Sequence, residues 1–408
     1  MKTILATAYA INPYKGSEDG MGWNFVLQIA RFNRVVAVTR ENNRPAIEKY
    51  MAAHEDKRYN NITFLYYDLP YYLRFWKKGG RGAMLYYQMW QKGVVGFIRK
   101  SGVSFDIVHN LNFHNDWTPS YLWQLDKPFV WGPVGHHPLI PGQYLRPFGV
   151  VEYLRDRATW LVKQIFWKLN PSLGKTVKKA DYIWCMNNSV KDVLELTGKN
   201  YSVMPSVATQ DFGIDPFIRD GKFRVISAGR FVALKGFDLT VRAFAAFIDG
   251  VNGPDRSKME LVLVGSGPEE SRLISIIREL GIEDNVKIIH WIERNELMEL
   301  FRKSDVFLFP SHEGAGMVVA EALSFGLPVI CLDNSGPGEF IDGNCGFAVR
   351  EQPYDDTVRE LADKLDILYS DDKKYRQLRQ GARSRFEKIF HWDRRGETLR
   401  EVYLKLGA

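Results

Sequence analysis

Cysteine is scarce in this chain of 408 residues, which contains only Cys185, Cys331 and Cys345. Three scattered cysteines cannot form a disulfide framework or a cysteine-rich zinc cluster, and such a number is typical of a reducing compartment. Long apolar runs are also missing, because no stretch approaches the roughly 18 consecutive apolar residues of a membrane-spanning helix. The opening residues 1–10 are interpreted as a first β-strand and not as a signal peptide. We therefore expect a cytoplasmic protein.

Several catalytic signatures are absent as well. The glycine-rich stretch 12–25 lacks G-x-G-x-x-G spacing and no acidic residue ends the second predicted strand, which disfavours a nicotinamide enzyme. The chain contains no G-x-S-x-G nucleophile motif and no D-x-D pair. Its histidines do not follow a standard metal-ligand spacing. We expect neither a bound metal nor another cofactor.

The composition is that of a folded protein whose two halves differ. Hydrophobic residues make up 45%, charged residues 25% and aromatic residues 13% of the chain, which excludes disorder and suggests two or three domains. The net charge of +7 is uneven: residues 1–200 hold 27 basic and 15 acidic residues, whereas residues 201–408 hold 28 and 33. Nine of the eleven tryptophans also lie in residues 1–200. A basic, tryptophan-rich half and a mildly acidic half suggest two domains with different partners.

Short β-branched runs alternate with amphipathic segments in both halves, which is typical of βαβ units and parallel sheets. The fold class is therefore predicted as α/β, with two tandem Rossmann-like doubly wound domains that face each other across a cleft. The domains are expected at 1–204 and 205–408, with residues 385–408 packing back on the first. The predicted strands are Thr3–Ala8, Arg34–Val38, Ile62–Tyr66, Ile107–Asn110, Phe129–Trp131, Tyr182–Cys185, Phe223–Ser227, Glu260–Val264, Val286–Ile289, Val306–Phe309, Val329–Cys331 and Gly346–Val349.

The densest site signal is the segment 310–330, which follows the predicted strand 305–309. Gly314 and Gly316 let the backbone approach a ligand, and the N–H groups of Ala315, Gly316, Met317 and Val318 at a helix start favour a phosphate. Glu313 precedes these glycines and Glu321 follows eight residues later, where it is placed to accept hydrogen bonds from a diol such as ribose. The alternative is a plain turn followed by a solvated helix residue.

A second cluster, residues 227–238, follows the strand 223–227. Arg230 and Lys235 are expected at the same sheet edge as Glu313, where two cations suit a diphosphate leaving group. The segment 263–268 repeats the pattern of a strand followed by glycine, so that Gly265 would line the nucleotide pocket, with 291–293 near the base. Surface cations on a connecting loop are the alternative.

Further candidates lie in the basic half. Gly16 belongs to the glycine-rich loop after the first strand, which could close over a diphosphate. His136 and His137 follow the strand 129–131 and are candidates for contact with substrate. His109, Asn112, His114 and Asp116 form another polar group at a strand end.

Together these motifs resemble the GT-B glycosyltransferases of the large retaining family 4. The resemblance rests on G-R-x4-K-G at 229–236, V-G-S-G-P at 264–268 and, above all, E-x7-E from Glu313 to Glu321. It implies a donor nucleotide-diphosphate sugar held by the second domain and a saccharide or lipid-linked saccharide acceptor held by the first, in the synthesis of cell-surface polysaccharide or glycolipid. It implies metal-independent transfer in which Arg230 and Lys235 hold the diphosphate, Glu321 the ribose, and Glu313 the sugar hydroxyls.

The resemblance also implies that a histidine after the fifth strand reaches the sugar, and His136 and His137 both remain candidates. Retention would follow if the acceptor hydroxyl attacks on the face that the diphosphate leaves, with a phosphate oxygen taking its proton. The alternatives are a non-hydrolysing sugar-nucleotide epimerase, a catalytically silent sugar-nucleotide-binding protein and a basic nucleic-acid-binding protein; no nucleic-acid module signature is present, and we expect no nucleic acid as partner.

Cations and aromatic residues are interleaved in two segments of the basic half, residues 71–100 and 155–179. Such a mixture suits the surface of an anionic membrane, so that peripheral contact with the inner face of a membrane is one interpretation. The other is that the aromatic side chains are core and the cations are solvated.

Overall fold

The short apolar runs form parallel β-strands joined by helices, as the alternating pattern predicts. The computed structural model describes residues 1–77, 79, 82–111, 115–213, 221–251 and 253–407. Asn112 and His114 of the polar group, and Lys78 and Arg81 of the basic segment, lie outside the described residues. The strands are β1 Thr3–Thr7, β2 Arg34–Thr39, β3 Ile62–Tyr66, β4 Ile107–Asn110, β5 Phe129–Val134, β6 Tyr182–Cys185, β7 Tyr201–Val203, β8 Phe223–Ala228, β9 Met259–Val264, β10 Val286–Ile289, β11 Val306–Phe309, β12 Val329–Leu332 and β13 Gly346–Val349.

The helices fill the intervals between these strands and the end of the chain. Short 3₁₀ turns and a π-helical turn at Phe386–Phe390 accompany them. The α-helices are α1 Ser17–Ala30, α2 Arg44–Ala53, α3 Tyr71–Arg74, α4 Ala83–Ser101, α5 Gly142–Leu145, α6 Val150–Leu169, α7 Pro171–Lys179, α8 Ser189–Val193, α9 Phe237–Asp249, α10 Gly253–Arg256, α11 Glu270–Glu279, α12 Arg294–Arg302, α13 Met317–Ser324, α14 Pro337–Phe340, α15 Tyr354–Ser370, α16 Asp372–Arg385 and α17 Trp392–Leu406.

The chain divides into two units. Unit 1 comprises residues 1–136, 161–206 and 392–408, and unit 2 comprises residues 137–160 and 207–391. A single boundary at residue 204 does not reproduce this division. Segment 137–160 groups with unit 2 because Tyr144 is buried in its core and donates a hydrogen bond to the Gln352 carbonyl oxygen at 2.7 Å. The sequence contains no local signal for such a tertiary contact.

Unit 1 is built on a seven-stranded parallel sheet in the order β3-β2-β1-β4-β5-β6-β7. Helix α4 covers it with aromatic residues, and the fully buried Trp90 donates its indole N–H to the Tyr67 carbonyl oxygen at 2.8 Å. Helix α17 packs against α1, where the rings of Phe25 and Trp392 meet edge to face at 5.3 Å. The last helix of the chain therefore belongs to unit 1.

Unit 2 is built on a six-stranded parallel sheet in the order β10-β9-β8-β11-β12-β13. The predicted strands of this half are all present, with end shifts of one residue or none. The strand order reverses between β8 and β11, and in open parallel sheets ligands bind at the carboxyl ends of the strands beside such a reversal. The loops after these two strands carry Arg230, Lys235 and Glu313.

Glycine allows these loops to pack closely. Gly236 has a φ of +65°, and a Cβ at this position would overlap the carbonyl oxygen of Pro310, which follows β11. Gly281 has nearly the same φ, +61°, but a Cβ there would meet open space. An alanine at either position therefore adds the strain of a left-handed backbone, but only an alanine at Gly236 also adds a steric overlap between two loops.

We predict that Gly281→Ala lowers the free energy of unfolding by about 1–2 kcal/mol, the usual strain of a left-handed non-glycine residue. Gly236→Ala should cost a further ~1–3 kcal/mol because the methyl group overlaps backbone atoms. Urea unfolding of the two variants measures the difference. Equal losses would contradict the close packing of these loops.

Candidate nucleotide-sugar site

An ion pair joins the loops that follow β8 and β11. The ammonium group of Lys235 lies 2.6 Å from Glu313 Oε2, and both side chains are largely buried. Nζ of Lys235 also lies 5.0 Å from the centre of the Phe309 ring. Burial raises the pKa of Glu313, and Lys235 counteracts this effect. The second carboxylate oxygen of Glu313 is buried and has no hydrogen-bond partner among the described residues.

Hydrogen bonds that involve the backbone hold the loops after β8 and β11 next to each other. The Leu234 carbonyl oxygen accepts hydrogen bonds from the His312 N–H at 2.9 Å and from the Ser311 hydroxyl at 3.2 Å. The side-chain amide of Asn334, which follows β12, donates to the Ser311 carbonyl oxygen at 2.8 Å. A Cβ on Gly336 would overlap the Glu313 carbonyl oxygen. These contacts with Leu234, Asn334 and Gly336 therefore hold the loop that carries Glu313 close to the loop that carries Lys235.

The backbone after Glu313 runs directly into a helix. Gly314 and Gly316 are buried, and α13 begins at Met317 with Gly316 as its N-cap. Gly316 has no side chain that could cap this helix start. Ala315, Met317 and Val318 are partly exposed. The predicted arrangement of a glycine-rich turn leading into a helix N-terminus, a backbone geometry that binds anions in many proteins, is present at this edge.

His137 contacts this segment from within unit 2. Its Nδ1 accepts a hydrogen bond from the Gly314 N–H at 3.0 Å. An imidazole nitrogen that accepts carries no proton, so the neutral ring has its proton on Nε2. Of the two adjacent histidines, His137 is therefore the one that contacts the glycine-rich turn of unit 2.

Glu321 lies in the second turn of α13 and is almost completely buried. Its Oε1 lies 2.6 Å from a guanidinium nitrogen of Arg294, a half-exposed residue at the start of α12. Burial raises the pKa of Glu321, and the positive charge of Arg294 lowers the pKa in part. The alternative of a solvated helix residue is wrong for this glutamate. Sequence reasoning missed Arg294, although the neighbouring segment 291–293 was expected near the base.

Arg230 and Gly265 lie at the same edge of the sheet. Arg230 is exposed and makes no ion pair with the described residues. A Cβ on Gly265, whose φ is +147°, would overlap the Gly229 carbonyl oxygen. The loops after β8 and β9 are also joined by the Phe231 N–H, which donates to the Ser266 carbonyl oxygen at 2.9 Å. The four loops after β8, β9, β11 and β12 thus form one continuous edge.

The remaining candidates lie in unit 1. Gly16 is the N-cap of α1, which begins at Ser17. His136 is buried, and its Nδ1 lies 2.7 Å from Asp116 Oδ2, so that Asp116 orients the imidazole ring. The sequence alone had placed Asp116 in the polar group of His109 and not beside His136. The His136 ring also lies 5.3 Å from the ring of Trp167.

His109 belongs to the core of unit 1 and not to a polar group at a strand end. Its ring nitrogens contact the Tyr403 hydroxyl at 2.6 Å and the Gly132 carbonyl oxygen at 2.7 Å. Burial lowers the pKa of His109 to about 3, so the ring is neutral. His109 therefore connects β4 to α17, and both of its ring nitrogens have hydrogen-bond partners within the fold.

The described residues form neither a metal-binding cluster nor a membrane-spanning helix. No group of three or more histidine, cysteine, aspartate or glutamate side chains in this part of the chain is arranged to hold a metal ion. Among the same residues, no helix has the length and apolar character needed to span a bilayer.

Comparisons with known proteins agree with this architecture. A solved sucrose-phosphate synthase from Thermosynechococcus elongatus superposes with a TM-score of 0.68 at 18% identity, covering 100% of this chain and 99% of the other. The Anabaena protein HepE, solved in complex with UDP and glucose, superposes with a TM-score of 0.63 at 15% identity over 99% and 100% of the two chains. The chain thus has the fold of the GT-B glycosyltransferases, with two parallel-sheet α/β domains.

Part of the second unit matches a known family. Residues 211–385 match the model of the family described as glycosyl transferases group 1. An uncharacterized glycosyltransferase of Haemophilus influenzae is 30% identical over 162 residues, which are 39% of this chain and 43% of the relative. The chain spans about half the length of the curated relatives it matches.

We predict that Lys235→Met destabilises the protein in a pH-dependent way. Removing the cation leaves Glu313 buried and unpaired, which should cost about 3–5 kcal/mol of unfolding free energy at pH 8. Because the pKa of Glu313 is raised in the folded state, protonation favours folding, and this contribution is lost as the pH rises through the folded pKa. The cost should therefore be smaller at pH 5.

Urea unfolding at pH 5 and pH 8 measures this dependence. Adding Glu313→Gln to the Lys235→Met variant should remove most of it. Lys258→Met, which breaks the exposed Lys258–Asp255 pair, is the matched control and should leave stability nearly unchanged at either pH. An equal loss at both pH values for Lys235→Met would contradict a charged, buried Glu313.

Proposed function

We propose that the protein is a retaining glycosyltransferase that takes a sugar from a nucleotide-diphosphate donor bound at the carboxyl edge of the unit 2 sheet. The observation that carries the proposal is the buried Lys235–Glu313 pair, which lies directly before the glycine N-cap of α13 and leaves one Glu313 oxygen without a hydrogen-bond partner among the described residues. A buried polar atom without a partner is costly, and a ligand hydroxyl would satisfy it. The match of residues 211–385 to the glycosyl transferases group 1 and the UDP in the HepE structure support the same interpretation.

Each part of the donor has a matching group on this edge. The diphosphate would bind Arg230, Lys235 and the N–H groups of Ala315, Gly316, Met317 and Val318, which supply charge and donors without a metal. The ribose hydroxyls would donate to Glu321, whose carboxylate Arg294 holds in place. Glu313 would accept from hydroxyls of the sugar. Gly265 and Gly16 would line the nucleotide pocket and approach the diphosphate.

The reaction would depend on stabilising the leaving group. As the bond between the anomeric carbon and the diphosphate breaks, negative charge develops on the phosphate oxygen, and the cations and N–H groups stabilise it without reorganisation. The acceptor hydroxyl would attack on the same face and pass its proton to a phosphate oxygen, so that the anomeric configuration is retained. His137, which accepts from the Gly314 N–H, is the histidine we assign beside the donor sugar.

The acceptor is proposed to be a saccharide or lipid-linked saccharide bound by unit 1, in the synthesis of cell-surface polysaccharide or glycolipid. His136, oriented by Asp116, lies in this unit and is available to contact an acceptor hydroxyl. We place the protein in the cytoplasm, in peripheral contact with the inner face of a membrane. No observation favours an epimerase or a nucleic-acid-binding protein.

We predict that Arg230→Ala lowers the affinity for nucleoside diphosphates by about 10- to 100-fold and leaves stability unchanged. A charge-assisted hydrogen bond contributes about 1.5–3 kcal/mol, whereas Arg230 is exposed and has no role in the core. Calorimetric titration with UDP, GDP and ADP identifies the preferred base and measures the loss.

Arg376→Ala is the matched control, because Arg376 is an exposed arginine of α16 that pairs with Asp372 of the same helix. This variant should bind the preferred nucleotide as the wild type does. Wild-type affinity in Arg230→Ala would remove Arg230 from the diphosphate site.

Glu321 is predicted to distinguish ribose from deoxyribose. The wild type should bind the preferred nucleoside diphosphate more tightly than its 2′-deoxy form, because the buried carboxylate loses a hydroxyl donor in the latter. Glu321→Ala should bind both forms with similar, weaker affinity, whereas Glu299→Ala, which removes an exposed glutamate of α12, should retain the preference. Equal preference in Glu321→Ala and the wild type would show that the ribose lies elsewhere.

A further inference from the structure

Helix α6 exposes a row of large apolar side chains. None of its 20 residues is buried. Leu154 is 59%, Leu161 62% and Leu169 74% exposed. The apolar face of α6, as we define it, consists of Val150, Val151, Leu154, Leu161, Val162, Ile165 and Leu169.

These seven residues lie together because of their spacing. At about 100° of rotation per residue they fall within an arc of roughly 120°, together with the exposed Ala158. Trp160, Lys163 and Trp167 lie on the opposite side and are only partly exposed. Trp167 contacts the protein there, since its indole N–H donates to the Asp116 carbonyl oxygen at 3.2 Å. Helix α6 thus turns its apolar side toward solvent, the reverse of an ordinary surface helix.

Cations flank this apolar face. Arg155, which is 76% exposed and pairs with Glu152 at 3.3 Å, lies at one edge, and the exposed Lys168 lies at the other. Residues 150–179 contain seven lysines and arginines but only two acidic residues, Glu152 and Asp156. Helix α6 itself holds four of these cations, of which Lys163 lies on the side opposite the apolar face. The apolar face therefore has one cation at each edge, and the segment 150–179 as a whole is positively charged.

We infer that the apolar face of α6 inserts into the interfacial region of a bilayer that contains anionic lipids, with the helix lying in the membrane plane. The inference rests on the membrane contact proposed above and names the surface that makes it. Acyl chains would cover the apolar side chains while lipid headgroups neutralise the cations. A second copy of this chain fits less well, because a two-fold contact would bring two positively charged segments together.

The other basic segment, 71–100, contributes less than its sequence suggests. Tyr86, Tyr87 and Trp90 are buried in the core of unit 1. Tyr71 and Tyr72 of α3 remain exposed. The interpretation of these aromatic residues as core therefore holds for most of α4, and α6 offers the larger apolar surface.

Vesicle co-sedimentation tests the inference. The full chain should bind vesicles of phosphatidylcholine with 30% phosphatidylglycerol, and bind pure phosphatidylcholine at least tenfold more weakly. The triple variant Leu154→Gln/Leu161→Gln/Ile165→Gln should lose at least tenfold in binding to the anionic vesicles. Leu404→Gln, which replaces a 57% exposed leucine on α17, is the matched control and should bind as the wild type does.

Two further measurements make the outcome unambiguous. Titration of the triple variant with the preferred nucleoside diphosphate should give wild-type affinity, which verifies its fold and separates this test from that of the donor site. Wild-type vesicle binding by the folded triple variant would overturn the inference. Light scattering provides the second measurement. A wild-type dimer that the triple substitution converts to a monomer would also overturn the inference, because the apolar face would then be a contact between copies of the chain.

Discussion

The site in unit 2 depends on backbone contacts too close for a side chain. Gly236 lies against Pro310, Gly265 against Gly229, and Gly336 against Glu313, and at each of the three a Cβ would overlap a carbonyl oxygen. These contacts bring together loops that follow four different strands. Because the loops touch through their main chains, the side chains they carry are held at fixed distances without long-range packing of their own.

The electrostatics of the site follow from that proximity. Two glutamates are buried where their charged forms lose hydration, and a single cation compensates each of them, Lys235 for Glu313 and Arg294 for Glu321. The pairs do not use every polar atom, since Glu313 Oε1 has no hydrogen-bond partner among the described residues. Such a preorganised arrangement can accept hydrogen bonds from ligand hydroxyls without large rearrangement. The charged and polar groups are then already in place when charge develops in the transition state.

The parallel sheets and the strand ends were predictable, because period-two apolar runs and glycine-rich segments are local signals. The predicted strands agree with the structure, with end shifts of up to three residues in β5, and β7 at 201–203 was missed. The pairing of Glu321 with Arg294 was not predictable, since the two residues lie 27 positions apart and neither neighbourhood encodes the other. The same holds for His137 and Gly314, and for the placement of residues 137–160 in unit 2.

A structure of the full chain with its preferred nucleoside diphosphate would show directly whether the donor binds at the carboxyl edge of the unit 2 sheet. We expect the diphosphate oxygens to lie within hydrogen-bond distance of Lys235 Nζ or Arg230 and of N–H groups between Ala315 and Val318, with the ribose hydroxyls on Glu321. A nucleotide bound elsewhere on the chain, with Glu313 and Glu321 free of contact, would contradict this expectation.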